Sequence, residues 1–389
     1  MLHDAYTDVK KNYYDPQYHG IDLDARYHEF ETRLAAVTTV NDGMRIVQGF
    51  LDGLKDSHTF LIPPEMIHFY EPGFVMQMIG DQCFVVRVRP GTDAAVKLHP
   101  GDRVIKYNSF SLNRDDILPA VMYFTVLNPM ANTELDLQGP DGTLRHESVK
   151  AIYKPTGMNR RLRWYTQARN DPSILLEKDD VSYWRVPQFD ILMDEVNRGF
   201  VVASKHHALV LDLRGDPGGS TDTLTYMLAG VLDHDVKVGD RIGRKNPKPF
   251  IAKRPISAHL FTGKLIVLID SESGSAAELF ARVMQLEHRG TVIGDKSAGA
   301  VMEAEDFPHS SGDLSKVSFG FSVTEADLIM TDGKSLEHVG VTPDEVVVPS
   351  PYDLSAGRDP AMARAAALAG ANLSPEDAAK VFPIQWLPL

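Results

Sequence analysis

The sequence predicts an α/β protein built from more than one compact unit, and three observations support this fold class. The chain has 389 residues, which is too long for one ordinary core. Between residues 156 and 355, strand patterns alternate with helix patterns, as in a buried sheet covered by helices. A helical segment and a segment of short strands precede this region, so the α/β unit is expected to carry additional modules.

The first segment, residues 1–65, is predicted to be an N-terminal helical subdomain. Apolar residues recur at helical spacing in "DLDARYHEFETRLAAV" and again in "VNDGMRIVQGFLDGLKD". The stretch "DSHTFLIPPE" follows, and its two prolines favour an extended backbone. We therefore expect the helices to end before this stretch.

The second segment, residues 75–153, is predicted to be a small, mostly β module. Its first part indicates a strand in "DQCFVVRVRPG", a short helix around Ala94 to Lys97, a turn at Pro100-Gly101-Asp102 and a second strand in "RVIKYN". The stretch "TELDLQGPDGTLRHESVKA" is typical of a hairpin with Pro-Asp-Gly at its turn.

The third segment, residues 156–355, is predicted to be the α/β core. Its expected strands are "VSYWRVPQF", "HALVLDLRG" and "KLIVLID", and its expected helices are "TDTLTYMLAGVL" and "SAAELFARVMQLEH". The remaining residues, 356–389, are predicted to form a surface tail with one short helix, "DPAMARAAALA".

The composition excludes several classes of protein. Forty basic and 53 acidic side chains give a formal charge of −13, which argues against nucleic acid or an anionic membrane surface as the main partner. No apolar run approaches the roughly 18 residues that span a bilayer, so we expect a soluble chain without membrane insertion. The opening residues show no apolar signal-peptide region, and both a cytoplasmic location and a periplasmic one with a trimmed leader stay open. The single cysteine, Cys83, excludes an internal disulfide.

A cluster of serines in "LIDSESGSAAELFARVMQ" marks the first candidate site, Ser275. A strand that turns sharply into a helix presents a hydroxyl beside helical N–H groups without partners, as a nucleophilic serine requires. Ala276 and Ala277 leave room for a substrate backbone. The alternative is a helix cap, because Ser275 and Glu278 form the S-x-x-E pattern of a capping box. Taken alone, this stretch favours the cap.

Three other stretches could complete a catalytic site. In "LVLDLRGDPGG", Gly218 and Gly219 could expose N–H groups to an oxyanion, or could simply form a strand-to-helix turn. In "LKDSHTF", His58 lies at a helix end from which a general base could reach another unit. In "SLEHVGVTPDEVV", Glu337 could orient that base, or could be an ordinary exposed glutamate. No metal-binding spacing of histidine or cysteine is present, and no cofactor is expected.

Together and in this order, the motifs resemble the C-terminal-processing (tail-specific) serine protease family. The motifs are "KNYYDPQYHGID", "LKDSHTFLIPP", "HPGDRVIKYN", "LVLDLRGDPGG", "SGSAAELFA", "VIGDKSAG" and "GVTPD". The resemblance implies a crotonase-like (ClpP/crotonase) α/β core, an inserted PDZ-like domain and polypeptide substrates.

One departure from the family pattern bears on the mechanism. Members with a Ser-Lys dyad carry a lysine in a segment like "GEKTFGKG", whereas the matching segment here is "GDKSAGAV", with Ala300 at that position. Lys296 matches a non-catalytic residue of the motif. The pattern instead resembles the tricorn-like Ser-His-Glu branch. In tricorn proteases, an acidic residue immediately follows the nucleophile and is tied to a preference for basic substrates. Ala276 stands at that position, so this preference is not expected here.

The resemblance to the tricorn-like branch implies a role for each site residue. Ser275 would attack, His58 would take its proton, and Glu337 would orient the imidazole through Ser57. Ala276 and either Gly218 or Gly219 would supply the N–H groups of the oxyanion hole. Two other classes stay open on the same fold: a non-proteolytic peptide- or ligand-binding protein, and a crotonase-type acyl-CoA enzyme.

Overall fold

The computed structural model describes residues 1–64, 68–155, 172–245, 247–312, 316–383 and 386. It begins with three helices, α1 (Leu2–Asn12), α2 (Leu23–Ala35) and α3 (Val40–Leu51), as the helical spacing predicts. The buried face of α3 consists of Met44, Val47, Phe50 and Leu51. Burial of this apolar stripe holds the three helices together.

A short turn carries the chain from these helices into a sheet. Lys55 adopts a left-handed conformation with φ +55°, which stops the helical backbone. The side chain of Asp56 then accepts the N–H groups of His58 at 3.0 Å and Thr59 at 2.8 Å. Strand β1 (Phe60–Ile62) follows directly. The segment around His58 is therefore fixed between helix and strand.

Residues 68–155 form a β module with its own apolar core. Its elements are β2 (His68–Glu71), β3 (Phe74–Ile79), β4 (Gln82–Val88), α4 (Asp93–Lys97), β5 (Arg103–Tyr107), α5 (Ile117–Met122), β6 (Asn132–Gln138), β7 (Leu144–Lys150) and β8 (Ile152–Pro155). Five strands form an antiparallel sheet in the order β3-β4-β5-β6-β7, with β3 at an edge, and β2 pairs with β8. The predicted hairpin is confirmed as β6 and β7.

The α/β region contains the predicted buried strands and helices. Its first elements are β9 (Ile174–Lys178), β10 (Val181–Arg185), α6 (Met193–Ala203), β11 (Ala208–Asp212), α7 (Thr221–Ala229), β12 (Val236–Gly243) and β13 (Lys248–Ala252). They are followed by β14 (Lys264–Ile269), α8 (Ala276–Leu286), β15 (Thr291–Gly294), β16 (Glu303–Ser311), β17 (Val317–Met330) and β18 (Glu345–Val346). The central sheet has the order β18-β15-β14-β11-β10-β9 and is parallel except for β9.

Both faces of this central sheet are buried. Along β11, Leu209 and Leu211 point to the layer of α6, α7 and α8, whereas Ala208 and Val210 point to the opposite side. This alternation follows from the two-residue period of a strand. It explains why these strands are continuous apolar runs in the sequence.

The prediction that residues 356–389 form a surface tail with one short helix is wrong. The described part of this segment contains two helices, α10 (Pro360–Leu368) and α11 (Pro375–Ala378), and α9 (Pro351–Ser355) precedes it. Helix α10 covers the second face of the central sheet and buries Ala361, Met362, Ala365 and Ala366. Small alanine side chains let the helix approach the sheet closely, and their weak hydrophobic pattern did not indicate this burial.

A second sheet connects the N-terminal helices with the α/β region. It has the order β1-β17-β12-β13, with β16 also paired to β17. The long strand β17 places Phe319 and Phe321 in the N-terminal core and Leu328 and Met330 in the main core. Because β1 pairs with β17, the turn that contains His58 lies against the α/β region. Among the helices of the described ranges, none has the length and apolar character needed to cross a bilayer.

Candidate active site

Ser275 lies at a sharp turn between strand β14 and helix α8. Its backbone has φ +49° and ψ −117°, a conformation that non-glycine residues rarely adopt and that persists only when the surroundings hold it. The Ser275 N–H donates to the carbonyl oxygen of Ala300 at 2.8 Å and to a carboxylate oxygen of Glu278 at 3.1 Å. Ser275 thus occupies the N-cap position of α8, as the capping alternative predicts, and it does so in the strained geometry typical of nucleophile turns.

Ser57, His58 and Glu337 form a continuous chain of hydrogen bonds. The Ser57 hydroxyl lies 2.6 Å from His58 Nδ1 and donates to Glu337 Oε2 at 2.9 Å. The Ser57 N–H donates to Glu337 Oε1 at 2.7 Å. Glu337 therefore reaches the imidazole through Ser57, without contacting it directly.

This chain of hydrogen bonds determines the tautomer of His58. The Ser57 hydroxyl has one proton, which it donates to Glu337, so it accepts a proton from His58 Nδ1–H. In the neutral ring, Nε2 then keeps its lone pair. Burial lowers the pKa of His58 below its ordinary value, against an opposing effect of the Asp56 charge. The imidazole is consequently neutral at pH 7 and able to accept a proton.

Glu337 is a buried carboxylate held by several donors. Its Oε2 also accepts the Val301 N–H at 3.0 Å. Burial raises the pKa of Glu337, while the hydrogen bonds from Val301 and Ser57 act in the opposite direction. The expected alternative of an exposed glutamate therefore does not describe this side chain, of which only 8% is exposed.

One cavity of about 1840 Å³ is lined by both Ser275 and His58. It lies at the carboxyl edge of the parallel sheet, where open α/β folds bind their ligands. Among the described residues, no hydrogen bond joins the Ser275 hydroxyl to the His58 ring. Such contacts are often long before substrate binds. Ala300 also lines this cavity, whereas Lys296 does not.

The two glycines of the "DPGG" turn have different roles. The Gly218 N–H donates to Asp216 Oδ1 at 2.8 Å, so it is not available to an oxyanion. Gly219 lines the cavity, and in the part of the chain that the structure describes nothing accepts its N–H or that of Ala276. The geometry thus makes Gly219 and Ala276 the available donors, and the sequence could not distinguish Gly219 from Gly218.

Asp216 also belongs to this site, although no sequence motif identifies it as a candidate. It is fully buried, and burial raises the pKa of its carboxyl well above the ordinary value. Its Oδ1 holds the Gly218 N–H, and its carbonyl oxygen accepts the Gly274 N–H at 2.8 Å. Asp216 therefore ties the glycine turn to the serine turn. Its place two residues before Gly218, where an Asx turn can form, is the only sequence signal for this role.

We expect Gly218→Ala to lower kcat by about 10²-fold or more, the size of the loss that a displacement of about 1 Å in a catalytic arrangement can cause. Gly218 has φ +101°, and an added Cβ would lie 2.5 Å from Ser275 Cβ and 2.9 Å from Ala276 N. The substitution would therefore displace the nucleophile turn itself. Steady-state kinetics with a peptide substrate would measure the effect. Gly142→Ala is the control, because that glycine also has positive φ but has open space around it.

The β module forms one wall of the cavity. Strand β3 contacts the loop before Ser275, since Gln77 Nε2 donates to Asp270 at 2.6 Å and the Ser271 hydroxyl donates to the Met78 carbonyl at 2.5 Å. Arg114 pairs with Asp295 at 2.9 Å on the other side. Within the described ranges, no group of three histidine, cysteine or acidic side chains could hold a metal ion.

Comparisons with known proteins agree with this architecture. Residues 180–347 match the family model described as Peptidase family S41, and residues 1–49 match the Tricorn protease C1 domain. A tail-specific protease from Haemophilus influenzae is 25% identical over 279 residues, which are 65% of this chain and 38% of that protein. A tricorn protease from Thermoplasma acidophilum is 24% identical over 186 residues, 47% of this chain and 16% of that protein. This chain thus spans less than two fifths of the length of these curated relatives.

A solved structure of mature CPAF complexed with lactacystin shares the fold. It superposes with a TM-score of 0.68 at 16% identity, covering 91% of this chain and 95% of that one. At this identity the likeness concerns the mixed α/β fold, which the sequence predicted. Residues 180–347 thus match peptidase family S41 and are preceded by a segment of the tricorn C1 type, so the family resemblance predicted from the motifs is confirmed.

Proposed function

We propose that this protein is a serine endopeptidase that cleaves polypeptides through an acyl-enzyme. The observation that carries the proposal is the shared cavity, which is lined by the strained Ser275 and by Ser57 and His58, the members of the relay to which Glu337 is hydrogen-bonded. Ser275 is the nucleophile, His58 the general base and Glu337 the orienting acid. These residues together supply the roles that acyl transfer requires.

The proposed reaction uses His58 twice. As the Ser275 oxygen bonds to the substrate carbonyl carbon, His58 Nε2 takes the hydroxyl proton. The resulting oxyanion accepts hydrogen bonds from the N–H groups of Gly219 and Ala276. His58 then gives the proton to the departing amine as the C–N bond breaks. A water molecule, deprotonated by His58, releases the acyl group and restores Ser275.

We further propose that the α/β region is a crotonase-like core and that the β module is PDZ-like. The proposed units are the helical subdomain 1–65, the PDZ-like domain 75–153, the α/β core 156–355 and the C-terminal tail 356–389. Residues 156–171 of the core, and several shorter stretches elsewhere, lie outside the described residues. In support, edge strand β3 and helix α5 both line the cavity. An extended segment could therefore pair with β3, which favours unfolded or C-terminal polypeptide segments as substrates.

A fluorophosphonate probe tests the proposal. We expect the wild-type protein to be labelled covalently and to digest an unfolded polypeptide, and we expect peptide mass mapping to place the label on Ser275. Absence of both labelling and digestion would instead support a non-proteolytic binding protein. The lack of a hydrogen bond between Ser275 and His58 is the observation that favours this alternative. Binding of coenzyme A, measured by calorimetry, would favour an acyl-CoA enzyme.

The variant Lys296→Ala tests for a Ser-Lys mechanism in the same assay. We expect it to keep most of the labelling and peptidase activity, because Lys296 is not among the residues that line the cavity. A large loss of activity with the fold intact would restore a lysine base and refute the role of His58. Because Lys296 is in the same loop as Ala300, the variant also controls for disturbance of that loop.

A further inference from the structure

The carboxylate of Glu278 lies fully buried in the first turn of α8, directly behind the nucleophile turn. It accepts four hydrogen bonds from the nucleophile turn and the loop after β15. The donors are the N–H groups of Ser275 at 3.1 Å, Gly299 at 2.7 Å and Ala300 at 2.8 Å, and the hydroxyl of Ser297 at 2.6 Å. A capping box explains only the first of these bonds. The other three connect Glu278 to a loop that contributes nothing to the helix.

The loop segment 299–301 is held by two carboxylates from opposite sides. Glu278 accepts the N–H groups of residues 299 and 300, and Glu337 accepts the next N–H, that of Val301, at 3.0 Å. The carbonyl oxygen of Ala300 in turn accepts the Ser275 N–H at 2.8 Å. One short segment therefore links the backbone of the nucleophile to the carboxylate that orients the base.

We propose that Glu278 is a positioning residue for acyl transfer. It fixes Ser275 in its strained conformation and, through segment 299–301, sets the distance between the nucleophile and the Glu337–Ser57–His58 relay. This inference rests on the proposed peptidase function. A displacement of about 1 Å in such an arrangement can cost on the order of 10²-fold in rate.

The four donors require an ionised carboxylate. Ser297 accepts the Val341 N–H at 2.5 Å and uses its only proton on Glu278, so a proton on Glu278 would face donors alone. Burial raises the pKa of Glu278 to about 7, against the opposing effect of these hydrogen bonds. Only neutral groups of the described residues contact the carboxylate.

The nearest ionisable side chains in this network belong to three elements. Asp295 and Lys296 lie on the loop after β15, in which Ser297, Gly299 and Ala300 contact Glu278. Glu337 is connected to this loop through the Val301 N–H, and His58 is connected to Glu337 through Ser57. Because Glu278 must be ionised, activity is expected to be full above a pH of about 7 and to fall as the pH drops through that value. His58 must be neutral, and its lowered pKa places its own loss of activity at lower pH.

The test compares the wild type with Glu278→Gln. Glutamine keeps the size of the side chain but turns an NH₂ group toward N–H donors. We expect kcat for a peptide substrate to fall on the order of 10²-fold, with KM changed by less than about threefold. The fall in kcat near pH 7 should disappear, leaving only the fall at lower pH. Glu287→Gln at the other end of α8 is the matched control and should retain wild-type kinetics.

Wild-type kcat and wild-type pH dependence in Glu278→Gln would overturn the inference. If that variant does not fold, the pH dependence of fluorophosphonate labelling in the wild type decides, with folding monitored by circular dichroism. A decline near pH 7 supports the role of Glu278, and a decline confined to pH below 6.5 overturns it. A wild type that neither labels nor cleaves at any pH refutes the peptidase function itself, and this outcome is distinct from an active Glu278→Gln.

Discussion

Replacement of Ser275 by alanine is expected to lower kcat for peptide hydrolysis by a factor on the order of 10⁶, the loss typical of removing a serine nucleophile. Ser275 carries its hydroxyl at a strained turn between Gly218 and the start of α8, and the substitution removes this hydroxyl from the turn. Fluorophosphonate labelling should vanish as well. The fold should persist, because the backbone bonds to Ala300 and Glu278 do not involve the hydroxyl. Progress curves over several days would measure the residual rate.

The matched control for Ser275→Ala is Ser271→Ala. Ser271 belongs to the same serine cluster and lines the same cavity, but its hydroxyl donates to the Met78 carbonyl. We expect this variant to keep covalent labelling at position 275. Hydrolysis by Ser275→Ala at more than about a hundredth of the wild-type rate would contradict the assignment of the nucleophile.

The second large effect is expected from His58→Ala, which should lower kcat by a factor on the order of 10³ or more. Without the imidazole, the Ser275 proton has no acceptor at the attacking step, and the departing amine has no donor. Labelling by fluorophosphonate should slow in parallel, because it also requires a deprotonated hydroxyl. Added imidazole should restore part of the activity by occupying the space left in the cavity.

A second histidine in the cavity provides the control for His58→Ala. His338 follows Glu337 directly and lines the same space, but its Nε2 lies 2.9 Å from the Lys55 carbonyl oxygen. Because a carbonyl oxygen can only accept, His338 Nε2 carries a proton in this contact and cannot take one from Ser275. We expect His338→Ala to retain kcat within about threefold. The reverse pattern, with His338 essential and His58 dispensable, would exchange the two assignments.

The strands and helices that are buried on both faces could be predicted from the sequence. The runs "HALVLDLRG" and "KLIVLID" are apolar throughout because α6, α7 and α8 cover one face of their sheet and α10 covers the other. The same patterns could not show which element supplies the second cover. Helix α10 is rich in alanine, whose side chain suits both a surface helix and a close contact with a sheet.

The candidate site residues Ser57, His58, Ser275 and Glu337, and the link from Glu337 through Ser57, are predicted by the family resemblance. Each local motif taken alone also allows an ordinary structural role. The bond between Ser57 and Glu337 joins residues 280 positions apart, and no local pattern encodes it. Likewise, an S-x-x-E pattern predicts that Glu278 caps a helix, whereas its bonds to Gly299 and Ala300 depend on how the loop after β15 returns.

The pairing of β1 with β17 has a consequence for the protein during synthesis. Phe60 lies opposite Ser322, so strand β1 has no partner until the residues of β17 have left the ribosome. Glu337, which holds Ser57, emerges later still. A nascent chain that has not yet reached Glu337 therefore has His58 and Ser57 without this anchor, and under the proposed function we expect no hydrolytic competence before that point. If the proposed function holds, we expect this topology to prevent a chain that has not reached Glu337 from digesting its neighbours.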